Sequence, residues 1–549
     1  MPKKSAPPAT VSRTPLASRL MMLVTTIAAA LTSPVAQATP SAIAVRTAEY
    51  ARATYANKVV DSLAAMVSFN TVADPGVPFE RNPAHLGFKK FLKDEAARLG
   101  FDYTDAGHVL VIGYGKGTGR VGVITHGDVQ PADPSKWRQS PFKLDRTSEP
   151  GLLVGRGSED DKGPIATALY AMKAIKDRKV ALGKRIELYV YMAEESDWEP
   201  LEAYLKTHTP PQINITLDAE YPAVTAEKGW GLVSVTMPVP TSAPASAAAA
   251  VADAAARASA AAPGGTRAVA DTTSPGGPTL ARFTGGFFDS QIPEDATAVI
   301  DAAPVGLEES IRTRAATQKG MQYRFQRDGQ RLTIQAKGVS AHSSKPEDGV
   351  NAIAMLADAL AVQPWRGTPA AAMVNFVNEL VGTGLYGERF GDVAYRDAFM
   401  GPMTVAPVVL KETDAGLKLN INLRRPRGKT AAQLESQFAS AFDAWKVRQG
   451  GAVSQAQLTA QLGEPWVRDE VPQLPVLLDV FSHYTGTKDA RPISIGGGTN
   501  SRLFPNAVSF GPAMPGAVYT GHSEHEFISE KQLLLNLQMY TAVLVELAR

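Results

Sequence analysis

Apolar positions along the chain repeat with two different periods. Val59, Leu63 and Met66 recur at helical spacing within residues 39–70, and Phe88, Phe91, Leu92 and Leu99 mark a second amphipathic helix that Gly100 closes. Short continuous apolar runs follow: Val121 to Ile124, Ile186 to Met192, and Ile213 to Leu217. Unbroken runs of that length fit strands covered on both faces. Ile165, Leu169, Met172 and Ile175 form a helical pattern between the first two runs, and Pro164 suits the first position of that helix. Strand, helix, strand in alternation predicts an α/β fold with a mainly parallel sheet and helices on both faces.

The pattern changes after Leu232–Met237, itself strand-like. Tyr323–Gln326 and Leu332–Ala336 flank Asp328-Gly329, a hairpin signal. Leu417, Leu419, Ile421 and Leu423 alternate with Lys418, Asn420, Asn422 and Arg424, which predicts a half-buried strand with Arg424 on its polar face. Asn351–Val362 is helical in pattern. This mixture predicts an α+β lid domain over 231–464, inserted into a catalytic domain formed by 39–230 and 465–549. The stretch 241–278 is rich in Ala, Pro and Gly, carries no large apolar face, and is expected to be a surface insert. Beyond the lid, Leu477–Phe481 is helical, and Ile493-Ser494-Ile495 runs into Gly496-Gly497-Gly498-Thr499-Asn500. A last helix spans about 530–547, with Ser529 and Gln532 at capping-box spacing.

Composition changes this picture mainly at the N-terminus. The 549 residues are 44% hydrophobic and 20% charged, ordinary for globular domains. Lys3, Lys4, Arg13 and Arg19 precede an apolar run, Leu20–Leu31, and then Ala36-Gln37-Ala38. A basic segment, a short apolar core and a small-x-small site predict a secretory signal over 1–38, hence an exported, periplasmic protein. The run is too short to span a bilayer. Loss of those four basic residues leaves 52 basic against 54 acidic residues instead of 56 against 54, a formal net charge of −2 instead of +2. No basic excess remains to suggest nucleic-acid binding. With no cysteine in the chain, any metal must be held by His and carboxylates.

Candidate chemistry sits at the strand ends. His126-Gly127-Asp128 follows the first apolar run, Glu194-Glu195 the second and Asp218-Ala219-Glu220 the third. Asp160 and Asp161 lie in a glycine-flanked turn, Gly155 to Gly163, before a helix. Any one of these fits a solvated acidic turn, since acids favour helix N-termini. In an open α/β sheet, however, ligands gather at the carboxyl ends of the strands, where all four would meet.

These segments, with Gly338-x-x-Ala341-His342, Gly496-Gly497-Gly498-Thr499 and His522-x-x-x-Glu526-Phe527, come in an order that resembles the dinuclear zinc metallopeptidase family of carboxypeptidase G, the aminoacylases and the carnosinases. The resemblance covers nearly all of 50–549 apart from the Ala-rich insert, and is strongest to the bacterial peptidase V dipeptidases. It implies two zinc ions per subunit, with cobalt or manganese as substitutes, bridged by Asp160. His126 and Asp218 would complete one site, Glu195 and His522 the other, and Asp128 would orient His126. The resemblance further implies a metal-bridging hydroxide between ions about 3.5–4 Å apart, with Glu194 as general base. His342 would hold the oxyanion. Arg424 would bind the substrate carboxylate, which the amides of Gly497 and Gly498 could also reach; those glycines fit a plain tight turn equally well. Family members carry a cis peptide after the bridging aspartate, expected here between Asp160 and Asp161.

Two positions depart from the family pattern. Ser290 stands where peptidase V has a substrate-contacting asparagine, and His525 replaces an asparagine after His522 and offers an alternative ligand. The activity implied is hydrolysis of dipeptides. An N-acyl-amino-acid deacylase would use the same metals and base, and a non-catalytic metal- or solute-binding protein would have no use for Glu194. The partner expected is a small peptide or N-acyl amino acid, without nucleic acid and with no membrane span in the mature chain. A lid of this size supplies its groups within one chain, hence a monomer.

Overall fold

The computed structural model describes residues 39–238 and 277–549; the signal expected over 1–38 and nearly all of the insert fall outside the described residues. Two sheets organise the described chain. In sequence order, β1 (Asp102–Ala106), β2 (Val109–Tyr114), β3 (Gly119–His126), β4 (Lys184–Tyr191), β5 (Ile213–Thr216) and β6 (Val224–Glu227) build most of the first. The second follows with β7 (Gly229–Met237), β8 (Thr279–Gly285), β9 (Asp295–Asp301), β10 (Gln322–Asp328), β11 (Arg331–Lys337), β12 (Thr404–Thr413), β13 (Gly416–Arg425) and β14 (Gln457–Leu462). The chain then returns to the first through β15 (Trp466–Val467), β16 (Ile493–Ile495) and β17 (Ala507–Ser509).

The first sheet has the order β1-β2-β4-β3-β5-β17-β6-β15, with β16 beside β6. Its centre is parallel: β3 pairs with β4 and β5, and β17 with β5. Antiparallel strands close both edges. Successive residues of a strand face opposite sides, so the continuous apolar runs feed two cores. Val121, Val123, Ile186, Leu188 and Val190 pack against the long helices α1 (Ala42–Val67), α3 (Lys162–Asp177) and α10 (Glu530–Ala548), in a core shared with Leu477, Val480 and Phe481 of α9 (Leu474–Thr485). Ile124, Tyr189 and Tyr191 pack on the other side with Leu201 of α4 (Glu199–Thr207). Local chemistry sets the helix ends. Asn82 caps α2 (Pro83–Leu99), Gly100 ends it at φ 75° in the left-handed region, and the Ser529 hydroxyl accepts the Gln532 N–H to start α10. The third helix begins at Lys162, so Pro164 occupies its third position rather than the first; the opening turn of a helix leaves its N–H groups without intrahelical partners, and a proline is tolerated there too.

The second sheet is antiparallel throughout, in the order β10-β11-β9-β8-β12-β13-β7-β14. Its apolar face packs on α5 (Val305–Ala315), α6 (Ala352–Ala359), α7 (Pro369–Phe376) and α8 (Ala431–Gln449) around Phe376, Phe390, Phe438 and Trp445. The hairpin at Asp328-Gly329 forms as its turn residues require, with Gly329 at φ 57°. The strand β13 differs from expectation. It is covered on both faces there, with Asn420, Asn422 and Arg424 buried like Ile421 and Leu423 between them. The polar face is covered because its side chains are bonded to neighbouring structure: Asn420 to Ser234 and Asp289, and Arg424 to Ser343. No helix of the described residues is long and apolar enough to cross a membrane.

Candidate metal and substrate site

The parallel centre of the first sheet brings the strand-end residues together. His126 ends β3 opposite Tyr191 of β4, Glu194 and Glu195 lie just past β4, and Asp218 lies just past β5. The turn before α3 adds Asp160, and the segment between β17 and α10 adds His522. Asp160 lies between two imidazoles: its Oδ1 is 2.9 Å from His126 Nε2 and its Oδ2 is 3.3 Å from His522 Nε2. Asp218 Oδ2 joins the first imidazole at 3.8 Å, and Glu195 Oε1 joins the second at 2.9 Å. All five expected ligands therefore meet. The Asp160–Asp161 peptide is cis. Asp161 accepts the His126 backbone N–H at 3.1 Å.

Charge at this cluster calls for a cation. Burial, then the neighbouring Asp218, pushes the Glu194 carboxyl well above its ordinary range. Burial also pushes Asp218 up. Burial acts to raise Asp160 as well, but the bonds from His126 and His522 outweigh it and hold that carboxyl well below the usual range. Two sets of ligand atoms, His126–Asp160–Glu195 and His126–Glu194–Asp218, each converge within 4.8 Å. Imidazole and carboxylate are the donors that zinc takes when thiolate is absent, so the residues fit such a metal.

Asp128 does more than face the imidazole. Its carboxylate lies 3.5 Å from His126 Nδ1, while the closer partner of that nitrogen is the backbone carbonyl of Asp128, at 3.1 Å. The two carboxylate oxygens accept the backbone N–H groups of Glu194 and Glu195, each at 3.0 Å. Glu194 is thereby held at the cluster's edge, and its Oε1 is buried with no hydrogen-bond partner among the described residues.

The Asp160 turn is held from the far end of the chain. Glu526, fully buried, accepts N–H groups from Gly157 (3.0 Å), Glu159 (2.9 Å) and Asp160 (3.1 Å), and pairs with Arg156 at 2.7 Å. Tyr519 donates its hydroxyl to Asp160 Oδ2 at 2.7 Å. Sequence reasoning gave Tyr519 and Arg156 no role, and placed Glu526 only within a motif.

The inserted segment contributes His342, from a separate two-stranded ladder, and Arg424, from β13 of the second sheet. The ring of His342 stands 4.3 Å from that of His522. Its Nδ1 accepts the Ser344 N–H at 3.0 Å, so the neutral ring carries its proton on Nε2. Burial, reinforced by the cationic neighbours His522 and Arg424, lowers its pKa well below the ordinary value and keeps it neutral. Arg424 donates to Ser343 Oγ (2.9 Å), Asn422 Oδ1 (3.0 Å) and the Gly496 carbonyl (3.4 Å). Burial, with Arg502 nearby, brings its pKa down to about 9. Among the described residues no carboxylate pairs with it. Gly497 and Gly498 line the same cleft as Asp160, Glu194, Glu195, Asp218, His342, Tyr519 and His522. A Cβ at Gly496 would stand 2.5 Å from the Ser344 carbonyl, which explains the glycine that opens this turn. His525 lies outside the cluster, exposed and bonded to Glu149 at 2.7 Å. Ser290 faces His522 through its carbonyl, 3.4 Å from Nδ1.

A parallel-centred sheet carrying this cluster, with an antiparallel sheet domain inserted beside it, defines a two-domain metallohydrolase architecture. The sequence profile of peptidase family M20/M25/M40 matches residues 122–546, and the chain belongs to that family: it is a hydrolase acting on peptide bonds. The chain is 26% identical over 499 residues to the Beta-Ala-Xaa dipeptidase of Lactobacillus delbrueckii subsp. lactis, covering 89% of this chain and 96% of that protein. Its fold is similar to human carnosine dipeptidase 1 (TM-score 0.55, 15% identity, 93% of this chain and 99% of the other). It is similar also to the di-peptidase Dug1p of Saccharomyces cerevisiae (TM-score 0.53, 13% identity, 91% and 98%).

Proposed function

We propose that this chain is an exported di-zinc dipeptidase that binds substrate between a catalytic domain (39–230 and 465–549) and a lid domain (231–464). The observation that carries this reading is Asp160, with one carboxylate oxygen on each of two imidazoles and a second carboxylate beside each imidazole. His126, Asp160 and Asp218 would hold one ion, and Asp160, Glu195 and His522 the other. Two such ions supply Lewis acidity and bring the pKa of a shared water toward neutrality. Glu194 supplies the base. Its unpartnered buried oxygen is free to take the water's proton and pass it to the leaving amine.

His342 presents Nε2–H as a neutral donor to the oxyanion, a contact worth about 10²–10³ in rate at comparable sites. Arg424, buried and without a carboxylate partner among the described residues, would receive the free carboxylate of the dipeptide in a two-bond fork. Its neighbours Gly497 and Gly498 would offer backbone amides to the same group. Both groups come from the same chain as the cluster, which supports a monomer as the working unit. Export rests on the pattern of residues 1–38, and the N-terminal sequence of the secreted protein tests it.

The function is tested by activity of the zinc-loaded enzyme on a panel of free dipeptides and N-acyl amino acids. Dipeptides should be the better substrates. Faster turnover of N-acyl amino acids would make the enzyme a deacylase instead. Glu194→Gln should retain zinc and lose about 10²–10⁴ in kcat; normal turnover by that variant would remove Glu194 from the mechanism.

A further inference from the structure

His522 adopts an unusual backbone. Its φ is +64°, in the left-handed region that a side chain with a Cβ enters at a cost, and such a conformation persists only where surrounding bonds hold it. One of those bonds comes from the inserted segment. Gln291 is buried, 2% exposed, and its Nε2 donates to the His522 carbonyl at 2.9 Å. The same nitrogen lies 3.4 Å from Glu524 Oε1. Both partners are acceptors, so the orientation of the amide is fixed by chemistry.

Gln291 is itself firmly seated. It pairs with His342 in a two-residue antiparallel ladder, Gln291–Ile292 against Ala341–His342. Ile292 and Ala341 anchor that ladder in a small buried cluster with Ala406 and Val408 of β12. Ser290, one residue earlier, accepts the Ser343 N–H at 2.9 Å and places its own carbonyl 3.4 Å from His522 Nδ1. One ladder therefore carries the oxyanion donor on one strand and, on the other, the two groups that grip His522 from outside the cluster.

We infer that Gln291 is a positioning residue through which the lid domain holds His522 in metal-binding geometry, so that docking of the lid and retention of the ion at His522 are coupled. This rests on the di-zinc reading above. The coupling is reciprocal by linkage: whatever strengthens metal binding through the docked lid is itself favoured by the bound metal. Outer partners of this kind typically tune metal affinity by about 10–100-fold.

The test is zinc affinity rather than turnover. Full-length wild type and Gln291→Met, which keeps the length and apolar bulk of the side chain but has no donor, are titrated with zinc against a competing chromophoric chelator. Affinity for one of the two ions should fall about 10–100-fold in the variant, while the Tm of the metal-stripped protein stays that of wild type. Gln291→Asn, whose amide is withdrawn by one methylene, should fall in between, and it serves should Gln291→Met not fold. His525→Ala, in the same segment but exposed and bonded to Glu149, should titrate like wild type. Wild-type zinc affinity in both Gln291 variants overturns the inference, as does a loss of affinity matched by an equal loss in stripped Tm. The stoichiometry of the wild type reads the underlying assignment separately: fewer than two zinc ions per chain would sink the di-zinc reading itself.

Discussion

Asp128 accepts the backbone N–H of Glu194 at 3.0 Å with one carboxylate oxygen and that of Glu195, also at 3.0 Å, with the other. The turn that carries the proposed base and a proposed ligand is thus fastened to the end of β3, two residues past His126. Asn at this position would have to turn an NH₂ toward one of those two N–H donors. Asp128→Asn should therefore lower kcat about 10–100-fold with little change in KM, and the pair is measured by steady-state kinetics on zinc-saturated protein. Wild-type kcat would mean that only the backbone carbonyl of Asp128, the closer partner of His126, matters to the site.

The buried pair Arg156–Glu526 invites a stability measurement. Both side chains are at most 1% exposed, and the Glu526 carboxylate also satisfies three backbone N–H groups of the Asp160 turn. Removing one member of such a pair leaves a buried charge without its partner, which costs about 3–5 kcal/mol. Glu526→Ala should lose that much in denaturant unfolding of the zinc-free protein, and zinc binding should weaken with it. Glu526→Gln, which keeps one acceptor oxygen, should lose less. Equal stability of Glu526→Ala and wild type would show that water replaces the carboxylate at no cost.

These two relationships also mark what was legible in the sequence. His126, Asp160, Glu195 and Asp218 could be read because each sits at a junction that the apolar periodicity exposes, and because a parallel sheet gathers its strand ends on one side; His522 was legible only through the resemblance that its motif carries. Arg156, Tyr519 and Gln291 could not be read. Glu526 and the Gly157 amide it satisfies are 369 residues apart, and neither flank of Gln291 shows a pattern that points to the His522 carbonyl. The alternation in β13 gave the strand but misjudged its polar face, because alternation reports which residues are polar and not whether a loop covers them. Arg424 is buried there by Ser343 and the Gly496 carbonyl, contacts set by tertiary structure alone.

That burial makes Arg424 a sharp probe of the substrate's carboxyl end. Among the described residues the side chain has no carboxylate partner, so an anionic group arriving there gains a charge-assisted bond where water is largely excluded. Arg424→Met should reduce kcat/KM on free dipeptides about 10–100-fold, the equivalent of roughly 1.5–3 kcal/mol for a bond to a charged group. On the same dipeptides with amidated C-termini, variant and wild type should be nearly alike. Arg424→Lys should rescue little, because an ammonium cannot offer the planar fork. Equal losses on free and amidated substrates would assign Arg424 to lid structure instead of carboxylate recognition.

Removal of metal tests the bridge at Asp160 most directly. Four carboxylates, those of Asp160, Glu194, Glu195 and Asp218, line one cleft, and the imidazoles of His126 and His522 lie against them. A chelator should therefore lower Tm, and added zinc should restore it. A ligand that binds only the folded state contributes about 4 kcal/mol per site when its free concentration is a thousand times its Kd. The pattern among variants decides the assignment. Asp218→Asn should lose the ion beside His126 and keep the other, while Glu195→Gln should do the reverse, each leaving about half the zinc content of wild type under limiting free zinc. Asp160→Asn should weaken both at once, and its thermal midpoint should become almost insensitive to chelator. A variant of Asp160 that still held both ions at wild-type affinity would mean that its carboxylate bonds the two imidazoles without bridging two metals, and the roles of Asp218 and Glu195 would have to be assigned again from their separate titrations.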